Sequence, residues 1–362
     1  MPRLAPVVCL LVCAVLLLQA GGAFAARSYP EMTMRVIDTY VVPRFDALAK
    51  ASAALHADLK SACGGKPGGI DAAREAFRST ALAWAGVEFL RFGPMAVTGR
   101  PERFSFWPDT RGVMQRQMRR LLAQRDASVL DPDAIAEKSA AIQGLPALEF
   151  LLWNAKHPLG ASETEEQKYR CALAVAIAGN LSQLARELAV GWDGESGWRR
   201  RMLDAGPQNP RYKGETEPPA DFARALITGL RMIQDWQVVP LIEAEAKPGK
   251  RPRLPFMRSG LSADYLAASI ASAQALYEAM RLADDVPRDK VWMPQWIAQA
   301  FARLEAEAPD AVQLEPVKQQ DPERARRLRF LRFHVDKIRT LVGRELAPLA
   351  GLMIGFNELD GD

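Results

Sequence analysis

Histidine is scarce in this chain: His56, His157 and His334 are the three in 362 residues. None of them forms a His-x-x-x-His helix pair or a His-Glu-x-x-His run. A catalytic zinc takes three protein ligands, usually including histidine, so the ligand count speaks against a conventional zinc hydrolase. Serine and cysteine nucleophile motifs are also missing. The closing Asp360-Gly361-Asp362 is acidic, but it lacks the 12-residue loop and final Glu of a calcium-binding hand. An excess of one charge is lacking too, with 47 Lys and Arg against 43 Asp and Glu. That balance gives no footprint for a nucleic-acid partner. Long alternating apolar-polar runs, the mark of exposed strands, do not occur.

One long apolar run does occur, at the very start. Arg3 precedes an unbroken stretch from Val7 to Leu18, and Ala23-Phe24-Ala25 offers small residues where a signal peptidase reads. About a dozen residues is short of the roughly 20 that span a bilayer. The pattern predicts a cleaved signal over residues 1–25 and a periplasmic protein; a lipid-anchored form is disfavoured because Cys9 and Cys13 lie inside the run. No second stretch approaches spanning length. The remaining cysteines, Cys63 and Cys171, are expected to form a disulfide in an oxidising compartment.

Apolar residues recur at three and four. Phe77, Ala81, Trp84 and Glu88 fall one turn apart, and Leu328, Leu331, Val335, Ile338 and Val342 form a second stripe. The chain reads as all-α. Helices are expected at 31–61, 70–91, 110–123, 132–153, 164–190, 220–244, 260–282, 290–307 and 321–350. The segment from Gly191 to Pro219, rich in Gly and Pro, reads as a long loop or domain junction. It suggests an N-terminal bundle over 26–205 and a C-terminal bundle over 220–362. A second break, Lys247 to Gly260, carries Lys247, Lys250, Arg251, Arg253 and Arg258, either as a binding rim or as a solvated loop. There is also a faint echo: Arg35-Val36-Ile37 runs to Val41-Val42-Pro43, and Arg231-Met232-Ile233 runs to Val238-Val239-Pro240.

The most informative stretch lies between Lys138 and Lys156, where the single charged side chain is Glu149. The segment Leu145-Pro146-Ala147-Leu148-Glu149-Phe150-Leu151-Leu152-Trp153 is apolar on every side of a helix, and such helices are buried all round. A buried carboxylate must be paired, hydrogen-bonded or protonated. Glu149 is therefore either half of an ion pair joining helices, with Arg91, Arg103 or Arg258 as partner, or the acid of a ligand site. Glu88 follows Trp84 by four and is expected to point inward from the same helix. Gly93-Pro94 ends that helix. Beyond it, Phe104-Ser105-Phe106-Trp107-Pro108-Asp109 packs three aromatics and an acid around a turn, with Asp109 also placed to cap the next helix.

These residues carry a family resemblance. The chain resembles the imelysin family, exported bacterial proteins also grouped as metallopeptidases of type M75. The likeness rests on Glu88 with Arg91-Phe92-Gly93-Pro94, on Phe106-Trp107-Pro108-Asp109 and on Gly144-Leu145-Pro146-Ala147-Leu148-Glu149. It continues through Arg258-Ser259-Gly260-Leu261-Ser262 to the closing Gly355-Phe356-Asn357-Glu358-Leu359-Asp360-Gly361-Asp362. The resemblance implies two helical bundles, a periplasmic or surface location and a link to iron uptake. The family signature is Gly-x-His-x-x-Glu, in which His and Glu share a helical face and can both touch a metal. Here the histidine position is Pro146, as in a Gly-x-Pro-x-x-Glu branch, which leaves Glu149 alone as a metal oxygen ligand.

The sequence thus points to a periplasmic, imelysin-like protein that binds a small ligand, iron or another divalent metal, or a periplasmic or outer-membrane partner, in a cleft between bundles. Glu149 is the central acid, Glu88 and Asp109 are its acidic neighbours, Arg91, Arg258 and Ser259 are the polar contacts, and Trp107 with Phe106 walls the site. No residue is assigned a catalytic role. A metallopeptidase and a structural or interaction protein are the competing readings.

Overall fold

A computed structural model describes residues 28–97, 99–160, 164–193, 197–247, 249–284, 286–312 and 320–355. The signal segment 1–25 and the closing acidic run from Phe356 onward lie outside the described residues. Those that are described form helices and loops, with no strand among them, in agreement with the all-α reading.

The first helix, α1 (Tyr29–Val36), opens on Ser28, whose hydroxyl accepts from the Glu31 N–H, with Pro30 in the first turn. It passes through a π-helical turn, Ile37–Val41, into α2 (Val42–Cys63). Helix α3 (Gly69–Ala85) and short α4 (Arg100–Phe104) follow, then α5 (Val113–Gln124), α6 (Pro132–Ala136) and α7 (Leu145–Leu152). Long α8 (Glu165–Val190) is capped by the Thr164 hydroxyl. It packs with α3 against the two sides of α2, and the Cys63–Cys171 disulfide ties α2 to α8.

After α9 (Trp198–Leu203) comes α10 (Glu217–Met232), a π-helical turn over Ile233–Val238, and α11 (Val239–Glu245). Helices α12 (Ser262–Met280), α13 (Trp292–Ala311) and α14 (Pro322–Leu341) pack in sequence, and α10 lies against both α12 and α14. A last π-helical turn, Val342–Leu346, leads into α15 (Ala347–Leu349). Helix α12 also touches α1 and α3, so one apolar core runs through all these packing faces.

The faint sequence echo has a structural counterpart. Both repeats adopt a π-helical turn just before a proline, Pro43 in one and Pro240 in the other, and Pro348 follows the third such turn. Proline lacks the N–H that would close the i to i−4 bond, and its ring crowds that carbonyl. A widened turn moves the carbonyl clear and lets the helix continue.

Three expectations need correction. Helix α3 ends at Ala85, so Glu88 sits in the turn beyond it, although its N–H still reaches the Trp84 carbonyl at 2.9 Å. The single helix expected over 132–153 is broken into α6, a 3-10 turn at Ala140–Ile142, and α7. Gly144 is extended just before α7, and a Cβ there would meet the Phe104 carbonyl oxygen at 2.8 Å. The supposed loop from 191 to 219 contains α9 and the start of α10, and it buries Trp192 and Tyr212 completely. Its glycines and prolines mark turns between packed pieces rather than an open strand of chain.

Candidate functional site

The all-apolar helix α7 places the acid. Leu145, Ala147, Leu148, Leu151 and Leu152 are fully buried, which leaves Pro146 and Glu149, three apart, as the α7 residues that line a neighbouring cavity of about 690 Å³. Glu149 is 6% exposed. Two loops close over it. One runs from Ser105 to Gly112 through a cis Trp107–Pro108 bond and contributes Phe106, Trp107 and Asp109. The other runs from Arg251 to Arg258, where Phe256 takes a left-handed φ of 57° and turns the chain back toward α12.

Ser259 holds the carboxylate. Its backbone N–H donates to Glu149 Oε1 at 2.9 Å and its hydroxyl donates to the same oxygen at 2.6 Å. The Ser259 Oγ also lies 3.0 Å from the Phe256 carbonyl. One hydroxyl proton serves one acceptor at a time. With Glu149 ionised the proton goes to the carboxylate; with Glu149 protonated the serine is free to turn to Phe256. Burial pushes the Glu149 carboxyl up from its ordinary range, and the Ser259 donors and the Arg258 charge pull it back only in part.

The expected arginine partner is not there. Arg91 pairs with Glu102 at 3.2 Å, and Arg103 donates from Nε to Gln143 Oε1 at 3.0 Å. Arg258 forms no ion pair with Glu149: its charge and its backbone N–H both favour the carboxylate, while its guanidinium lies 5.1 Å from the Phe150 ring centroid. Ser259, expected as a polar contact of the site, does the work assigned to an arginine.

Of the other candidates, Trp107, Asp109 and Arg258 line the cavity with Glu149. Asp109 caps α5 as well, Oδ1 accepting from Val113 N–H and Oδ2 from Met114 N–H, each at 2.9 Å. Glu88 and Arg91 are not among the lining residues. Glu88 is 7% exposed and lies beside Tyr265, whose ring packs 4.8 Å from Phe256. It thus sits a layer behind the cavity wall. Burial raises its carboxyl to about 7, opposed by the Tyr265 hydroxyl and by Arg91; the Trp84 indole N–H lies near without closing a hydrogen bond.

Arg111, Met114, Phe256 and Met257 also line the cavity and carried no signal beyond their types. Arg251 and Arg253 line it too, which turns the basic break between Lys247 and Gly260 into part of a rim. A smaller recess of about 440 Å³ adjoins on the far side of Trp107, sharing Asp109, Thr110 and Arg253 and adding Asp235, Trp236, Glu243 and Lys250.

A resident metal does not fit these residues. Glu149 is a single carboxylate already engaged by Ser259, and Asp109 is engaged by two backbone donors. Pro146 stands on the face where a histidine would add a nitrogen ligand. Among the described residues no group of three or more His, Cys, Asp or Glu side chains is placed to hold an ion.

The site is thus a buried acid three residues after a proline, at the floor of a two-loop cavity in a helical fold. The Imelysin profile, of the peptidase M75 group, matches residues 41–331, and the chain belongs to the imelysin family. Solved structures agree on the fold. An imelysin-like protein from Psychrobacter arcticum 273-4 superposes with a TM-score of 0.69 at 20% identity, covering 92% of this chain and 99% of that one. A "putative iron-regulated protein A precursor" from Parabacteroides distasonis ATCC 8503 gives a TM-score of 0.67 at 12% identity, covering 89% and 95%. A search of curated proteins returns no match. No helix among the described residues is long and apolar enough to cross a membrane.

Proposed function

We propose that this imelysin-family chain is an exported, periplasmic ligand-binding accessory of iron acquisition, and that its binding site is the cavity over Glu149. One observation carries the reading: a buried carboxylate at the floor of a cavity of about 690 Å³, held by a serine and without an arginine in ion-pair contact. A purely structural acid would be expected to close an ion pair, as Glu245 does with Arg324 elsewhere in the chain. Glu149 instead keeps a raised affinity for its proton beside open volume, the usual condition of a site acid. The iron link is supported by the family and by the name of the Parabacteroides neighbour.

In this reading Glu149, Ser259, Arg258, Trp107 and Asp109 contact the ligand directly. Glu88 and Arg91 act from behind the wall through Tyr265 and Phe256. The two-bundle division, 26–205 and 220–362, is part of the proposal; the paired π-helical turns before Pro43 and Pro240 favour it. The expected donor set for a catalytic metal is missing from the cavity, which favours binding over peptidase chemistry.

The test is growth of the source organism under iron limitation after deletion of the gene. Restoration by the wild-type chain, but not by Glu149→Ala expressed at the same level, supports the proposal. Equal growth of all three strains, or chelator-sensitive peptide hydrolysis by the pure protein, contradicts it.

A further inference from the structure

The charge around the cavity is lopsided. Arg111, Arg251, Arg253 and Arg258 line it, against Asp109 and Glu149 as its acids. Both acids are already engaged, Asp109 by the N–H groups of α5 and Glu149 by Ser259, and burial favours the neutral form of Glu149. Arg111, Arg253 and Arg258 are less committed. The Arg111 guanidinium makes no ion pair among the described residues, and Arg258 rests over the Phe150 ring. Arg253 spends one N–H on the Thr110 carbonyl at 3.2 Å, out of the five donors a guanidinium carries. The adjoining recess is different, with Asp109, Asp235 and Glu243 against Lys250 and Arg253, so the excess of basic side chains belongs to the main cavity.

The walls between these charges are apolar. Phe256 and Leu254 are buried, and Phe106, Trp107, Met114, Met257, Pro146 and Pro255 line the cavity beside them. The Trp107 indole nitrogen is buried and has no hydrogen-bond partner among the described residues. A buried N–H without an acceptor is costly, and a ligand oxygen would relieve it. Flat aromatic and thioether surfaces favour a flat apolar body, and forked guanidinium donors match carboxylate or phosphate oxygens.

We infer that the cavity over Glu149 takes an amphipathic anion, a flat apolar body bearing two or more carboxylate or phosphate groups. The inference rests on the reading of this cavity as the ligand site and names its ligand class. The arginine rim receives the anionic groups, the Trp107 and Phe256 rings receive the body, and the Glu149 carboxyl held by Ser259 meets an uncharged polar edge. Any metal carried there arrives on the ligand, since the protein supplies no cage for it.

The test is calorimetric titration of the intact mature protein with a charge series on one scaffold: naphthalene-2,6-dicarboxylate, naphthalene-2,6-dimethanol and naphthalene-2,6-bis(methylammonium). Ferric ion alone is a fourth arm. The dicarboxylate is expected to bind at least about tenfold more tightly than the diol. That margin should shrink as salt is raised, and it should disappear in Arg111→Gln/Arg258→Gln. Unchanged dicarboxylate affinity in that double variant overturns the inference, as does equal or tighter binding of the diol, or no binding of the dicarboxylate at millimolar concentration. Tight binding of the diammonium or of ferric ion that is lost in Glu149→Gln also overturns it, while leaving the cavity as the ligand site. The salt dependence of the wild type keeps the test decisive if the double variant folds poorly.

Discussion

The Ser259 hydroxyl donates to Glu149 Oε1 at 2.6 Å, and this bond joins the turn before α12 to the buried helix α7 across 110 residues of sequence. It makes the acid's state depend on a serine rather than on an arginine. Ser259→Ala removes the shorter of two donors and leaves the backbone N–H. We expect a loss of about 1–2 kcal/mol in urea unfolding, together with a further rise in the Glu149 pKa measured by carboxyl NMR. An unchanged pKa in this variant would show that the hydroxyl does not govern the acid.

Glu149→Gln should behave differently from the loss of an ion-pair partner. The amide oxygen still accepts from Ser259, and the cost of burying a charge is removed. Stability should change by no more than about 1 kcal/mol. A drop of about 3–5 kcal/mol would instead reveal a structural ion pair, and the urea midpoint distinguishes the two.

Glu88 gives the fold a pH dependence of definite sign. Its carboxyl titrates at about 7 in the folded chain against an ordinary 4.5, so between those values the folded state holds a proton that the unfolded state has released. Stability from this group is full below about pH 4.5 and is lost as pH rises to about 7, by roughly 3 kcal/mol in all. The readout is the difference between wild type and Glu88→Gln in urea unfolding from pH 4.5 to 8. His56, pushed down by burial, acts in the opposite direction in both proteins and cancels. A difference that grows with pH in favour of wild type contradicts the assignment.

Glu245 and Arg324 form the buried ion pair that Glu149 lacks. Arg324 donates from Nε and Nη2 to Glu245 Oε2, and the Asp321 N–H meets Oε1 at 2.7 Å, which ties α11 to the cap of α14. Arg324→Met strands a carboxylate and should cost about 3–5 kcal/mol, whereas Glu245→Gln/Arg324→Met should recover much of it. Thermal unfolding of the single and double variants checks this, and equal losses in both would deny the pair its role.

How much of this was legible beforehand differs between fold and site. The stripes at Phe77, Ala81 and Trp84 and at Leu328, Leu331 and Val335 place helices where helices occur, because burial on one face imposes the 3.6-residue period directly. The single charge in the seventeen residues between Lys138 and Lys156 marked Glu149 as buried, and it is. Asp109 was legible as a cap because capping is local. The close approach at Gly144 was not legible, since it involves a carbonyl forty residues earlier in the chain. Nor was Ser259 as the partner of Glu149, because a serine has no long-range sequence signature. The arginine rim was visible as a basic run, but its facing wall at Arg111 comes from a distant loop that only tertiary packing brings near.

The central claim is that the cavity over Glu149 is a ligand site rather than a packing defect. The most direct measurement is native mass spectrometry of the protein isolated from its own cells, wild type beside Glu149→Gln, after unfolding experiments have shown the two to be equally stable. The account predicts a reproducible small-molecule mass on the wild type that is lost or strongly reduced on the variant. Identical spectra for the two proteins, with or without a bound mass, would contradict it.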